Sequence, residues 1–302
     1  MVAVPKFAIS QEDLFTISLC NLDSNLPMFQ KRSEAYLRAI FANNPHIVLI
    51  QSIQAHAYGL QSFIRNFGGT LIVGSLRHDS FNATDRVNAI WVDDSVELIQ
   101  ASEIPIELQN GSNSLILAPN SIRITAKYRG SMLVCYVFEG VSGDFHNEAR
   151  LQAAHCVNLH AYTTIFQNPP LHTPITIIGA TMYCSPENQA VQMIEGNYTR
   201  QGFAPAEWDD VFSRLHENAP SDKAVTQNLL ADAIFDPTIV LPQFMQPIRD
   251  TFFFMPHKAF GRVGTPITIE RNGLEPINNI PVSGHYGLTM QLYMPDKELS
   301  KS

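Results

Sequence analysis

Five polar side chains that are far apart in the sequence could together supply a general base and oxygen ligands. They are Asn21, Asp23, Glu139, Asp250 and His285. Carboxylates and imidazoles are common proton carriers, and carboxylate oxygens bind hard cations. Four of the five also have an ordinary alternative: Asn21 and Asp23 as turn-capping side chains, Glu139 as a solvated loop acid, and His285 as a hydrogen-bonded histidine at a strand end. The residues alone favour the ordinary alternatives, most strongly for Glu139.

The elements that would position these residues begin as an alternation of strands and helices. Residues 15–19 alternate apolar and polar side chains, which predicts a half-buried strand, and a helical pattern follows as far as Phe41. The apolar run 47–50 predicts a core strand. Residues 60–67 have helical spacing that ends at Gly68. The opening order is therefore strand, helix, strand, helix.

The remainder of the chain is mostly strand. Strand patterns lie at 70–74, 88–92, 96–99, 122–127, 132–138, 175–178, 251–254, 267–270 and 288–293, and a helical pattern lies at 147–165. Residues 128–131 predict a hairpin turn, because Gly130 supplies the positive φ. No repeat or long linker divides the chain. We therefore predict one α/β domain over 1–302, with two packed sheets, helices outside them, a core at about 14–293 and a flexible tail at 294–302.

Composition argues against several classes of function. The net charge is −8 with only 20 Lys and Arg residues, so the chain as a whole repels polyanions, and we expect nucleic acid not to be its partner. No run approaches the roughly 18 apolar residues of a membrane span, and residues 1–6 lack the start of a secretory signal. We expect a soluble protein. The residues do not establish export by a non-classical bacterial system.

The four cysteines are widely spaced and lie in apolar surroundings: Cys20, Cys135, Cys156 and Cys184. They form no Cys-x-x-Cys pair of the kind that binds zinc or does redox chemistry. This pattern predicts free, buried thiols in a reducing compartment, either cytoplasmic or nuclear.

Four short segments, in this order, resemble the endonuclease/exonuclease/phosphatase superfamily, most closely its magnesium-dependent tyrosyl-DNA phosphodiesterase branch. They are Leu19-Cys20-Asn21-Leu22-Asp23, Leu49-Ile50-Gln51-Ser52, Ile178-Gly179-Ala180-Thr181-Met182 and Val282-Ser283-Gly284-His285-Tyr286-Gly287-Leu288. The family carries Trp-Asn-x-Asp, Leu-Gln-Glu, Gly-Asp-x-Asn and Ser-Asp-His-Trp-Gly-Leu at these places. The resemblance covers about residues 14–292. It implies a four-layer α/β sandwich: two packed mixed β-sheets flanked by helices.

The same resemblance implies that most of the catalytic groups are replaced. Asn21, Asp250 and His285 match family residues and would be vestigial. The family's main magnesium ligand, a glutamate, corresponds to Ser52, and a neutral hydroxyl is a poor ligand for magnesium. Ala180 would replace the aspartate that polarises the nucleophilic water.

Three further positions extend this list of losses. Met182 would replace an asparagine that binds phosphate oxygen, and Gly284 an aspartate that orients His285. Asp250, which matches the family's Asp-x-x-Phe-Phe element, could restrain His285 instead. Glu139 would replace a catalytic histidine if Arg150 is aligned with the arginine of the following helix.

Two hypotheses follow from these assignments. The first is a pseudoenzyme, a phosphodiesterase-like scaffold that binds a protein partner or small ligand and needs no cofactor. The second is a divergent metal-dependent phosphodiesterase or nuclease with a remodelled site, in which Asp23 and Glu139 would hold magnesium. The segment 185–246 is the most plausible partner surface, because an exposed aromatic such as Trp208 often anchors contacts. Neither the partner nor the oligomeric state follows from the sequence.

Overall fold

The computed structural model describes most of the chain. The described residues are 9–22, 28–75, 86–106, 119–141, 147–163, 174–198, 208–216, 226, 248–256, 263–273, 283 and 285–296. They form two six-stranded β-sheets. Asp23, Gly284 and the last residues of the chain, 297–302, lie outside the described residues.

The first sheet contains both parallel and antiparallel neighbours. From edge to edge its strands are β11 (Thr265–Asn272), β12 (Gly287–Tyr293), β1 (Leu14–Asn21), β2 (Ile47–Gln54), β4 (Arg86–Val92) and β3 (Thr70–Val73). The pair β1 and β2 is parallel, and the other neighbours are antiparallel. The helices α1 (Phe29–Phe41) and α2 (Tyr58–Arg65) follow β1 and β2 in the chain.

The second sheet repeats this mixed arrangement. Its strands in order are β5 (Glu97–Ile104), β6 (Ser121–Tyr128), β7 (Ser131–Glu139), β8 (Ile175–Thr181), β10 (Thr251–Pro256) and β9 (Trp208–Asp210). Among its described strands, only β7 and β8 are parallel neighbours, since the long helix α3 (Asn147–Tyr162) connects them. Two short helices, α4 (Gln189–Ile194) and α5 (Val211–Leu215), complete the described elements.

Three apolar clusters hold four layers together. The largest lies between the two sheets and includes Phe15, Leu49 and Phe253. A second packs α1 and α2 against the first sheet, and a third packs α3 and α4 against the second sheet. Burial of these faces from water is the main stabilising force in such a sandwich. The predicted four-layer α/β sandwich is confirmed.

Strand β1 is more deeply buried than its alternating sequence predicts. Thr16 and Ser18, which an alternating pattern places on a solvated face, are buried beneath the helical layer. The Ser18 hydroxyl satisfies its hydrogen bond on the Thr289 hydroxyl of β12, at 2.9 Å. The prediction of a half-buried strand was wrong, because a small hydroxyl residue with a partner can occupy a covered face.

The predicted hairpin turn between β6 and β7 is confirmed. Tyr128 pairs with Ser131, which leaves a two-residue loop. Arg129 and Gly130 both have positive φ, 46° and 73°. Two successive positive φ values are what a two-residue hairpin loop of this twist requires.

Two predicted surface features are buried. Trp208 is only 2% exposed, and its Nε1 donates to Asn158 Oδ1 at 3.0 Å, so it cannot anchor a partner. Met294, which the sequence assigns to the flexible tail, is 1% exposed, and its N–H donates to Asp13 O at 2.7 Å. The predictions for Trp208 and Met294 were wrong for the same reason. A large apolar side chain in a loop or near a terminus is buried where it can reach a core.

Three of the four cysteines agree with the prediction of buried thiols. None of the four cysteines forms a disulfide; Cys20, Cys135 and Cys184 are buried, and Cys156 is partly exposed. Burial raises the pKa of the Cys135 and Cys184 thiols to about 12, so both remain protonated. Within the described part of the chain, no helix is both long enough and apolar enough to cross a membrane.

Candidate functional site

The polar residues of interest meet at one edge of the sandwich. The parallel strands β1 and β2 end there with Asn21 and the segment after Gln51, and the parallel strands β7 and β8 end there with Glu139 and Thr181. Strand β10 starts at the same edge, since it runs antiparallel to β8 and its Thr251 pairs with Thr181. Because the carboxyl ends of parallel strands share an edge, each sheet contributes side chains to one cleft.

Gln51 joins the two sheets at the bottom of this cleft. Its Nε2 donates to the Phe138 carbonyl, and its Oε1 accepts from the Thr181 hydroxyl at 2.6 Å. Both Gln51 and Thr181 are fully buried. The amide of Gln51 therefore has a structural role, because its donor and its acceptor are both occupied by the second sheet.

Glu139 is the central acid of the cleft. It is 1% exposed, and its Oε2 accepts from the Ser52 N–H at 3.1 Å. Its Oε1 accepts from two hydroxyls, those of Ser52 and Tyr183, both at 2.6 Å. The guanidinium of Arg86 lies 3.7 Å from the same oxygen. The interpretation of Glu139 as a solvated loop acid was wrong, because donors from three other strands or loops desolvate and pair it.

Two of those donors have unusual backbone conformations. Ser52 has φ of 55° and Tyr183 has φ of 52°. Ser52 lies at an irregularity in the pairing of β2 with β4, between Ile50 and Ile53. A side chain at positive φ costs about 1 kcal/mol or more, so surrounding contacts must hold it there. In both residues the compensating contact is a hydrogen bond to Glu139.

The phenol of Tyr183 remains protonated in this setting. Burial, and then the negative charge of Glu139, raise the pKa of Tyr183 well above its usual value, against smaller opposing effects of Arg86 and Asn21. Asn21 Nδ2 donates to the phenol oxygen at 3.0 Å. Tyr183 is thus a hydrogen-bond donor to Glu139 and not a phenolate.

A second acid, Asp250, lies at the opposite side of the cleft and contacts His285. Asp250 Oδ2 is 2.9 Å from His285 Nδ1, and the side chain of His285 is 13% exposed. The expectation that Asp250 restrains His285 agrees with this contact. At this distance the two side chains form an ion pair when His285 is protonated.

Thr226 fixes the position of Asp250. Its hydroxyl donates to Asp250 Oδ1 at 2.8 Å and accepts from the backbone N–H groups of Asp250 and Thr251, at 2.8 and 3.0 Å. Its carbonyl accepts from the N–H of Tyr286 at 2.6 Å. One buried threonine therefore connects the start of β10 to the segment that carries His285.

Asn21 belongs to the same cleft and is nearly inaccessible. It is 1% exposed, and its main-chain carbonyl accepts a hydrogen bond from the Ser283 hydroxyl at 2.6 Å. The Ser283 hydroxyl also accepts from the His285 N–H at 3.1 Å. The ring of Tyr183 meets that of His285 edge to face, with centroids 5.1 Å apart. These contacts bring Asn21, Glu139 and His285 around one tyrosine.

Comparison with solved structures identifies the fold. D. rerio TDP2 in complex with a single-strand DNA product superposes with a TM-score of 0.67 at 16% identity, over 92% of this chain and 98% of that one. The endonuclease/exonuclease/phosphatase of Bacteroides vulgatus gives 0.64 at 11% identity, over 93% and 99%. The chain has the endonuclease/exonuclease/phosphatase fold. The resemblance predicted from the four segments is confirmed as a likeness of fold.

Other comparisons set the limit of that identification. The catalytic domain of human Nocturnin, solved with a bound sulfate, gives a TM-score of 0.65 at 12% identity over 97% of this chain and 99% of that one. No protein-family profile and no curated protein sequence matches the chain. Identities this low establish the common architecture and leave the chemistry to the residues in the cleft.

Two of the assigned replacement positions lie away from the cleft in this endonuclease/exonuclease/phosphatase fold. Ala180 and Met182 are both fully buried, and both pack in the apolar cluster beneath α3. Side chains alternate along a strand, so their neighbours Thr181 and Tyr183 face the site. The assignment of Ala180 and Met182 as cleft residues was therefore displaced by one position.

Sequence reasoning missed four residues of the site. They are Arg86, Thr181, Tyr183 and Thr226, which contact Glu139, Gln51 or Asp250. Strand alternation next to the buried Ile178 could have pointed to Thr181. Nothing in the local sequence pointed to Arg86 or Thr226, since each reaches the site from another part of the fold.

Magnesium does not fit the arrangement of the acids described. Both oxygens of Glu139 already accept hydrogen bonds from the protein, and Asp250 contacts Thr226 and His285. Among the residues that the structure describes, no three His, Cys, Asp or Glu side chains are grouped closely enough to hold a metal ion. The described side chains of the cleft form a hydrogen-bonded cluster around Glu139, with the contact between His285 and Asp250 beside it.

Proposed function

We propose that this protein is a pseudoenzyme: an endonuclease/exonuclease/phosphatase-fold protein whose cleft binds a protein or small ligand without hydrolysing a phosphodiester. The observation that carries the proposal is the engagement of Glu139, whose carboxylate accepts from the Ser52 N–H, the Ser52 hydroxyl and the Tyr183 hydroxyl. Three donors of its own chain take up three of the roughly four lone-pair positions of the carboxylate, which opposes its use as a metal ligand or as a base for water.

The electrostatics of the cleft support the same proposal. Magnesium is usually bound through one or two carboxylates that are free to coordinate it, and it retains several waters. Freeing Glu139 would leave the two hydroxyls and the Ser52 N–H without their acceptor in a buried place, which costs about 1–3 kcal/mol for each group. Metal binding would have to offset that loss.

The side chains that face the cleft from β8 and from the turn after it also support the pseudoenzyme proposal. Thr181 and Tyr183 bring a hydroxyl and a phenol, and Thr181 is already bonded to Gln51. Both groups are neutral. Thr181 is an aliphatic alcohol, and burial and Glu139 raise the pKa of the Tyr183 phenol. Neutral hydroxyls stabilise the developing charge of a phosphoryl group less than cations or a metal do.

A second candidate function rests on one specific observation, the contact of His285 with Asp250. An imidazole held by a carboxylate at Nδ1 is a common general base, and its partner here is itself fixed by Thr226. If this pair acts on a substrate, the protein is a divergent phosphodiesterase that uses His285 as its base. The two candidates make opposite predictions for turnover.

A hydrolysis assay separates the candidates. The wild-type chain is incubated with bis(p-nitrophenyl) phosphate and with a 5′-phosphotyrosyl oligonucleotide, each with and without Mg²⁺ or Mn²⁺. A His285→Ala variant, prepared identically, is the matched control. We expect equal, background rates from both proteins. Turnover by the wild type that is lost in His285→Ala would establish the phosphodiesterase and overturn the pseudoenzyme.

The chemistry of the partner is part of the same proposal. The net charge of −8 supports a partner that is not a nucleic acid, because a polyanion would be repelled at long range. Fluorescence anisotropy of labelled single-stranded and double-stranded DNA at physiological salt tests this point. Strong binding that weakens steeply with salt would contradict it.

A further inference from the structure

Tyr183 occupies the cleft in a way that its own backbone does not favour. It follows β8 with φ of 52°, the left-handed region that a tyrosine rarely adopts. Tyr183 is only partly buried, yet its hydroxyl donates to Glu139 at 2.6 Å, as close as the Ser52 hydroxyl. The backbone is therefore held in an unfavourable conformation by what the side chain binds.

The groups that receive Tyr183 come from three separate parts of the fold. Glu139, at the end of β7, accepts a hydrogen bond from the phenol, and Asn21, at the end of β1, donates to the phenol oxygen at 3.0 Å. His285 meets the ring edge to face. An acceptor, a donor and an aromatic wall are the elements of a site that recognises a phenol.

We propose that Tyr183 is a self-inserted ligand: its side chain closes a phenol-binding site formed by Glu139, Asn21 and His285, and its displacement opens the cleft. The chain is thus held closed by its own aromatic residue. An incoming phenol, such as a tyrosine side chain of a partner, would exchange with Tyr183 without changing the number of hydrogen bonds. The left-handed turn at Tyr183 favours this exchange, because its release relieves the backbone.

This inference rests on the proposed function in one respect, since it names the ligand chemistry of the same cleft. The two claims nevertheless fail separately. Turnover of a phosphodiester would overturn the proposed function and leave the closure by Tyr183 standing. An unchanged exposure of His285 after removal of the phenol would overturn the closure and leave the absence of turnover standing.

The test measures how fast His285 is acylated by diethyl pyrocarbonate at a fixed neutral pH, with the modified peptides quantified by mass spectrometry. Three proteins are compared: the wild type, Tyr183→Phe and Tyr183→Ala. His56, which is exposed on the segment between β2 and α2, is the internal control in every sample. Its rate should be the same in all three proteins, and thermal unfolding confirms that each variant is folded.

We expect acylation of His285 to rise by about tenfold in Tyr183→Ala, the change that corresponds to losing one hydrogen bond that holds the closed position. Tyr183→Phe keeps the ring and lacks the hydroxyl, so its rate should be intermediate. Because Tyr183→Phe is nearly isosteric, it keeps the test valid if Tyr183→Ala fails to fold. Equal His285 rates in the wild type and the folded variants would overturn the proposal.

A ligand arm tests the chemistry of the site. Phenol and anisole are added separately to Tyr183→Ala at the same concentration. Phenol can donate to Glu139 and anisole cannot, so phenol alone should restore the slow, wild-type acylation of His285. If neither compound protects His285, or if anisole protects it as well as phenol, the phenol site is excluded.

Discussion

Glu139 and Asp250 are two buried acids on one cleft, and they have opposite relations to it. Each is 1% exposed; Glu139 is the last residue of β7, and Asp250 directly precedes β10 in the second sheet. Glu139 accepts hydrogen bonds from Ser52 and Tyr183. Asp250 instead positions His285, a group that can itself exchange protons.

Under the proposed function, the difference is the one between a cleft that has lost its metal ligand and one that keeps a base. A carboxylate that holds a histidine preserves a potential base, whereas a carboxylate that accepts three internal hydrogen bonds stabilises the fold. The strained conformations of Ser52 and Tyr183 lie on the side of Glu139. The cleft therefore consists of a closed half and a half that still carries a titratable group.

The largest expected effect comes from removing the acid of the closed half. Glu139→Ala leaves the Ser52 N–H, two hydroxyls and Arg86 without their common acceptor, so we expect a loss of about 3–5 kcal/mol in the free energy of unfolding. Glu139→Gln keeps one acceptor oxygen and should lose clearly less. Urea denaturation measures both. A loss below about 1 kcal/mol in Glu139→Ala would mean that the donors are satisfied by water and that this half is open.

In the half of the cleft that contains Asp250 and His285, we expect the largest loss of stability from changing Thr226. Thr226→Val removes a hydroxyl that serves Asp250 Oδ1 and two backbone N–H groups, and we expect a loss of about 2–3 kcal/mol. Thr226→Ser keeps the hydroxyl and is the matched control, so most of the stability should return. Urea denaturation again gives the values. A larger loss in Thr226→Ser than in Thr226→Val would show that packing of the methyl group, and not the hydroxyl, supports Asp250.

A third acid, Glu195, should make the free energy of unfolding depend on pH, which adds a titration to the comparison of Glu139 with Asp250. Burial, and then the charge of Asp210, raise the pKa of Glu195 from 4.5 to about 7. Because the folded pKa lies above the unfolded one, this group stabilises the protein at low pH and loses that contribution as the pH rises through about 7. After allowance for screening by solvent, Glu195→Gln should be more stable than the wild type by about 1 kcal/mol at alkaline pH. The difference should vanish near pH 4.5, and a constant difference would contradict the assignment.

The smallest expected effect lies at the end of the sandwich away from the cleft and has the opposite sign. His46 Nδ1 accepts from the Thr16 N–H at 3.0 Å, and burial lowers the pKa of His46 below 6.5. Its unfolded form takes up a proton first, so stability should fall as the pH drops below 6.5, by up to about 1 kcal/mol. His46→Asn offers a similar acceptor that does not titrate. Its stability relative to the wild type should therefore rise on acidification, and parallel curves would exclude His46 as the cause.

The layers of the fold could be predicted from the sequence because they depend on local patterns. The alternation at 15–19, the apolar run at 47–50 and the turn at Arg129 and Gly130 each act through neighbours in the chain. The burial of β1 could not be predicted from alternation, since Ser18 finds its partner on Thr289, far along the sequence. Patterns report local periodicity and not which faces a distant element covers.

The site shows the same division. The positions of Asn21 and Asp250 at strand ends could be predicted, and so could the pairing of Asp250 with His285. The environment of Glu139 could not, because its donors come from Ser52 and Tyr183, which are distant in sequence. An error of one residue in the third segment exchanged Met182 for Tyr183, since adjacent strand residues face opposite sides.

The central claim is that the carboxylate of Glu139 belongs to the protein and not to a metal. Its most direct test is a crystal structure grown with Mn²⁺, with anomalous diffraction recorded at the manganese edge. We predict no anomalous peak in the cleft, and Glu139 bonded to Ser52 and Tyr183 as described above. A manganese ion coordinated by Glu139, with Tyr183 displaced, would contradict the account.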